Sequence, residues 1–261
     1  MRLIITKLTL IVITIFCLTS CAHTSLSYKQ ILPRSSFVKL ERDLNIKTCT
    51  EDTEDAYCEE QSFSAVASGV VIQNTLKGSY ILTAAHVCDD SDIVAQFSSL
   101  PNTKFSFKFR AITLDDDRKT IIIVNFNVKH DVCVVWAENM FVKPVVISPS
   151  APEPGDRVLN IAAPLGIFSK NMVPIFEGFY NGDDEHERAV YSLPAFGGSS
   201  GSPIVNEKGE LIGMVHSTIR YFHNVSLSPN YHAMRGFINT TIDEHMRYRF
   251  FRSLWRPFME L

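Results

Sequence analysis

Three stretches of the chain hold residue types that can do chemistry. Gly197-Gly198-Ser199-Ser200-Gly201-Ser202-Pro203 sets three serines in a glycine-rich turn, followed by the apolar pair Ile204-Val205 and a second turn, Asn206-Glu207-Lys208-Gly209. Glycines let a backbone fold so tightly that two N–H groups point at one spot, which is what stabilisation of an oxyanion needs. A serine at the centre of such a turn is a nucleophile candidate, yet its hydroxyl is unreactive without a base. Ser79-Tyr80-Ile81-Leu82-Thr83-Ala84-Ala85-His86-Val87 supplies one at the end of a β-like run, where the small alanines allow close approach. Asp131 opens the apolar run Val132-Cys133-Val134-Val135 and can orient an imidazole while stabilising its cation. Nucleophilic acyl transfer is the chemistry these three describe together. His130, next to Asp131, competes for the role of base but lacks small neighbours and reads as a surface residue. A phosphate-cradling loop is the poorer reading of the glycines, since no Gly-Lys-Ser/Thr ending and no helix follow.

The elements that must position these groups are short and apolar. Runs at 36–40, 65–73, 79–84, 105–112, 120–126, 132–136, 157–161 and 210–216 alternate with turns such as Asp115-Asp116-Asp117 and Gly182-Asp183-Asp184. The pattern is all-β, with one helical stretch at about 239–258, where Thr240 or Thr241 could be the N-cap and Ile242, Met246 and Phe250 share a face. A strand is expected near Tyr231–Met234, and a Pro- and Ser-rich boundary near 148–154 divides the chain midway. Such an order suggests one barrel or a pair of barrels closed by a C-terminal helix.

In their order and flanks the three stretches resemble the trypsin/chymotrypsin-like serine peptidases, in the style of the bacterial high-temperature-requirement and glutamyl endopeptidase branches. Thr83-Ala84-Ala85-His86 is similar to the histidine motif of that family, Asp131-Val132-Cys133-Val134-Val135 to its acid-then-apolar strand, and Gly198-Ser199-Ser200-Gly201-Ser202-Pro203 to Gly-x-Ser-Gly-x-Pro. Gly155-Asp156-Arg157-Val158, Ala163-Pro164-Leu165-Gly166 and Gly209-Glu210-Leu211-Ile212-Gly213 resemble its connecting pieces. The resemblance, over about 36 to the C-terminus, implies two six-stranded Greek-key β-barrels at about 34–147 and 155–238, then the helix. It also implies Ser200 as nucleophile, His86 as base, Asp131 as its orienting acid, and the backbone N–H groups of Gly198 and Ser200 as oxyanion hole. Two departures stand out. Ser199 replaces the Asp that many animal members use to bind a newly cleaved N-terminus, and no PDZ module is expected after the last strand.

The same alignment points to Pro194 as the floor of the pocket for the residue before the scissile bond, with His216, Ser217 and Thr218 along its wall. Without a carboxylate at Pro194, a Lys or Arg side chain would enter unpaired, at several kcal/mol of desolvation. The Thr218 side chain narrows the pocket, so small or medium uncharged residues are the expected substrates, with Glu as runner-up. His216 is offset by one residue from the histidine of glutamyl endopeptidases and should lie near Asp131.

The N-terminus has a different character. Arg2 and Lys7 precede an apolar stretch, Leu8–Leu18, and Leu18-Thr19-Ser20-Cys21 resembles the bacterial lipobox. Residues 1–20 are then a signal peptide, Cys21 the lipidated first residue, and 21–33 a tether. The implied location is the cell envelope outside the cytoplasm, on the outer membrane facing the periplasm if the host has one, because Ala22 is not the Asp of inner-membrane retention. Four cysteines remain in a compartment that permits disulfides. Cys49 and Cys58 bracket an acidic stretch that a bridge between them would close into a solvated loop, a poor calcium site because it lacks alternating donors and a turn Gly. Cys88 and Cys133 sit two residues beyond His86 and Asp131, close enough to pair unless β alternation turns them apart as buried free thiols.

Composition excludes other classes. With 261 residues, 46% of them hydrophobic and 20% charged, the chain can bury a sizeable core and is not a disordered scaffold. Without Arg2 and Lys7 there are 23 basic against 28 acidic residues, a balance of −5 that disfavours a nucleic-acid surface. No metal or other cofactor is expected, and polypeptide substrates and a lipid bilayer are the expected partners. The competing reading is a catalytically silent trypsin-like fold used as an envelope binding protein.

Overall fold

In the computed structural model, residues 32–50 and 57–259 are described, with side chains as far as Arg249. The expected signal peptide, the expected lipidation site Cys21, most of the expected tether and the acidic stretch at 51–56 lie outside the described residues. From Pro33 the chain forms one unit.

The first half is a closed six-stranded antiparallel barrel of contiguous chain: β1 (Phe37–Cys49), β2 (Cys58–Thr75), β3 (Gly78–Thr83), β4 (Thr103–Thr113), β5 (Arg118–Asn127) and β6 (Val132–Glu138), in spatial order β1-β2-β3-β6-β5-β4. β1 closes it by pairing with β2 on one side and β4 on the other. Every residue of β3 is buried, and all of β6 except Glu138, because both their faces are covered. That is why they read as unbroken apolar runs. A single helical turn, α1 (Ala85–Cys88), follows β3, and a short helix, α2 (Ser91–Ser98), precedes β4. At the far end of the β1–β2 ribbon, Cys49 and Cys58 are a directly opposed pair and form a disulfide.

The second half departs from the expected closed six-stranded barrel. It is a seven-stranded antiparallel sheet of β7 (Arg157–Ile161), β8 (Ile175–Asp183), β9 (Arg188–Tyr191), β10 (Pro203–Val205), β11 (Leu211–Met214), β12 (Ser217–Ile219) and β13 (Phe222–Pro229), in the order β11-β10-β7-β8-β9-β13-β12. The reason lies at Val215-His216. Val215 N–H donates to Ser202 O and His216 N–H to Leu227 O, so what would be one long strand breaks into β11 and β12. These two pieces occupy opposite edges, yet only two residues of chain separate Met214 from Ser217. Residues in extended chain span at most about 3.5 Å each, so the sheet must curl until its edges nearly meet. Val158, Tyr191, Leu193, Ile204 and Ile212 fill the half-barrel so formed.

Helix α3 (Tyr231–Met259) starts eight residues before its expected position and takes in the segment read as a strand. Its cap is Asn230, whose Oδ1 accepts the N–H groups of His232 (2.9 Å) and Ala233 (3.4 Å), and not Thr240 or Thr241. Tyr231, Met234, Ile238 and Ile242 are its buried stripe, at helical spacing. The helix packs against β5, β6 and β11, and its Tyr231 hydroxyl donates to Ser148 O in the connector between the halves.

Candidate active site

The register of β3 against β6 makes the site. Thr83 lies opposite Cys133, so the chain leaving β3 and the chain entering β6 emerge at the same end of the barrel. The α1 turn then carries His86, and Asp131 takes up a left-handed conformation (φ 50°) as the chain turns into β6. One carboxylate serves both the ring and the backbone of His86. Asp131 Oδ1 accepts the His86 backbone N–H at 2.9 Å, and Oδ2 lies 2.8 Å from Nδ1. A carboxylate only accepts, so Nδ1 must carry the ring proton, which leaves the Nε2 lone pair directed at Ser200 Oγ, 2.8 Å away. Two residues beyond His86 and Asp131, Cys88 and Cys133 form a disulfide that ties α1 to β6.

Ser200 sits in a turn that only glycine can make at two positions. Gly198 (φ 96°) and Gly201 (φ 84°) have left-handed backbones, and a Cβ on them would come 2.5 Å from Ala163 O and 2.1 Å from Ser68 O. The neighbouring serines are occupied by structure. Ser199 Oγ accepts Phe196 N–H, and Ser202 Oγ accepts from the buried amide of Asn160. Both are buried, whereas Ser200 is partly open. Among the described residues, no protein acceptor takes the N–H of Gly198 or of Ser200.

Sequence reasoning missed Ser68 on β2. Its hydroxyl donates to Gly198 O (2.8 Å) and accepts Ala163 N–H (3.0 Å), while its backbone N–H donates to Ser200 O (2.8 Å). One fully buried residue of the barrel thus pins the serine turn of the sheet. The signal was a polar residue in the middle of the apolar run 65–73, and with the sheet unplaced it had no visible partner.

The wall residues separate. Ser217 and Thr218 lie on β12, paired with Leu227 and Ser226 of β13, and Pro194 lies in the segment between β9 and the serine turn. His216 is not part of that wall: it falls in the break between β11 and β12, with Nδ1 3.7 Å from Asp131 Oδ2. His223, not foreseen, reaches the wall from β13, its Nδ1 3.5 Å from Thr218 Oγ1 and its ring against Phe196. Burial by itself would raise the Asp131 carboxyl, but the hydrogen bonds and charge of His86, with the charge of His216, hold it below the usual carboxylate value.

The profile of the trypsin-like peptidase domain matches residues 67–214, which include His86, Asp131 and Ser200. The chain belongs to the trypsin-like peptidase family. Among solved structures, the peptidase is similar to the serine endoprotease from Yersinia pestis, with 17% identity and a TM-score of 0.60 over 84% of this chain and 68% of that one. That likeness shows a shared fold. No curated protein matches the chain.

His216 gives the peptidase an acid-sensitive point. Its burial lowers the imidazole from its ordinary value to about 4 against the opposing charge of Asp131, with His86 and Arg188 pushing it further down. The unfolded chain therefore binds the extra proton first, and stability present above pH 6.5 is lost as pH falls toward 4, by about 3 kcal/mol in all. Denaturant unfolding at pH 7 and pH 4.5 should show most of that difference in the native protein, and a smaller one in His216→Ser. An equal pH dependence in the two proteins would remove His216 as its source.

Proposed function

We propose that this peptidase is a serine endopeptidase, anchored to the membrane by lipid and acting outside the cytoplasm, that cleaves peptide bonds through an acyl-enzyme. The observation that carries the reading is the unbroken hydrogen-bonded chain from Asp131 through His86 to Ser200. His86 Nε2 takes the Ser200 proton as Oγ attacks the scissile carbonyl. The N–H groups of Gly198 and Ser200, free of protein acceptors among the described residues, receive the negative oxygen. His86 then returns the proton to the leaving amine, and Asp131 stabilises the imidazolium in between. Water repeats the sequence on the acyl-enzyme. Selection at Pro194, Ser217 and Thr218 for small or medium uncharged residues before the scissile bond belongs to the same proposal.

The location rests on the charged, apolar and Leu-Thr-Ser-Cys order of residues 1–21, and on the pairing of all four remaining cysteines, which suits an oxidising compartment. More than one acyl chain on Cys21 would hold the protein stably, whereas one chain binds reversibly. One experiment tests both halves of the proposal. A fluorophosphonate probe should label a membrane-fraction band, with Ser200→Ala abolishing the label and Cys21→Ala moving it out of that fraction. A folded protein that takes no label is the silent binding protein instead. Unchanged fractionation of Cys21→Ala would remove the anchor.

A further inference from the structure

Two rows of residues run along α3 at the three- and four-residue spacing that keeps to one face of a helix. The packed row carries Ile238, Ile242, His245 and Arg249. Both isoleucines are buried, the His245 ring stands edge-on to Tyr80 and Trp136, and the Arg249 guanidinium lies 4.6 Å from the Trp136 ring. Continued at the same spacing, this row reaches Arg252 and Arg256. The opposite row carries Glu244, Arg247 and Tyr248, all exposed, Tyr248 to 61%. Continued, it reaches Phe251, Leu254, Trp255 and Phe258. The rows therefore exchange character along the helix. In the first turns the apolar row is the one that packs on the barrel and sheet, whereas from Tyr248 it is the opposite one, and arginines take the packed row.

A helix that only packs on a protein body needs one apolar row from end to end, so the second row calls for a different cover. Phe, Leu and Trp on one face of a helix and arginines on the other are the composition of a helix that lies in a membrane interface. Charge agrees. From 247 onward four arginines stand against one acid, Glu260, a balance of +3 in a chain whose total is −3, so the rest of the chain holds −6. A basic end on an acidic protein is drawn to anionic lipid while the remaining surface is held off it. Among the described residues no helix is long and apolar enough to cross a membrane, which leaves lying on a bilayer and not spanning it.

We propose that the last turns of α3, from Tyr248 on, lie in the interface of a membrane that carries anionic lipid, with the row of Phe251, Leu254, Trp255 and Phe258 as the membrane face. This contact does not depend on lipid at Cys21. Where both are present, it fixes how the peptidase sits on the surface, which attachment at one residue leaves open.

The test uses the intact protein reconstituted on vesicles of phosphatidylcholine with or without phosphatidylglycerol, with brominated acyl chains as the quencher. The chain has two tryptophans. Trp136, 4% exposed in the barrel, is the internal reference, and Trp255 reports on the helix. On vesicles with phosphatidylglycerol the quencher should remove most of the Trp255 emission and leave that of Trp136. Trp255→Phe, which keeps an aromatic ring in the row, should lose the quenched component alone, and Phe251→Glu/Phe258→Glu should restore the emission. Unquenched emission from protein that floats with the vesicles would overturn the proposal and leave the Cys21 anchor standing. Quenching in a protein whose mass shows no acyl chain would support the proposal and remove the anchor. Protein that does not float at all would overturn both. Equal quenching with and without phosphatidylglycerol would overturn the role given to the arginines. A dimer in solution that Phe251→Glu/Phe258→Glu abolishes, with no quenching on vesicles, would make a second copy of the chain the cover of this row instead.

Discussion

Asp131→Asn should lower kcat about 10⁴-fold while leaving the fold intact. The size follows from the two bonds that the carboxylate makes. The amide oxygen of Asn would take over the His86 backbone N–H now accepted by Oδ1. Its NH₂ group would then face Nδ1 in place of Oδ2 and donate to it. A ring that accepts at Nδ1 carries its proton at Nε2, so the lone pair now directed at Ser200 Oγ is lost and the serine has no base. Steady-state kinetics on a peptide substrate at neutral pH, with thermal melting as the control for folding, measures it. A loss below about tenfold would mean that Asp131 does not set the tautomer.

The largest expected loss of stability is that of Cys88→Ala/Cys133→Ala. The bond joins residues 45 apart, and the entropy of closing such a loop in the unfolded chain is worth about 4 kcal/mol. Native stabilities are only about 5–15 kcal/mol, and for a chain of this size that loss lowers Tm by about 10 °C. Cys49→Ala/Cys58→Ala, which opens a separation of 9, should cost about 2.5 kcal/mol by the same relation. Activity separates the two further, because Cys88–Cys133 holds the turn bearing His86 against the strand that Asp131 opens, whereas Cys49–Cys58 sits at the far end of a ribbon. Melting curves and kcat of the two double variants are the measurement. An equal or larger effect of the distal pair would refute this account.

What was legible in the sequence follows from burial. β3, β6 and β7 were found within a residue or two because covered strands leave continuous apolar runs, and the three stretches that meet at the candidate site were legible because each is a local turn or strand end with its own chemistry. β8 was invisible: most of its residues face solvent, and two glycines interrupt it, so its end at Gly182-Asp183 read as a turn. β1 and β2 run much further than their apolar portions because the polar ends are held by cross-strand pairing and the terminal disulfide, neither of which periodicity reveals. The start of α3 was hidden by Tyr231–Met234, which looks like a strand until Asn230 is seen to cap it. Ser68 and His223 belong to the site only through long-range placement, so no local pattern could have assigned them.

The closed barrel, contiguous from Phe37 to Glu138, also has a consequence in time. The chain is made from its N-terminus, so the sequence of this barrel is complete before the serine turn exists. His86 and Asp131 can therefore meet, and Cys88 and Cys133 can be joined, while Ser200 is still unmade or still threading. On the proposed mechanism, cleavage waits until the serine turn docks on Ser68, the last piece of the site to be made.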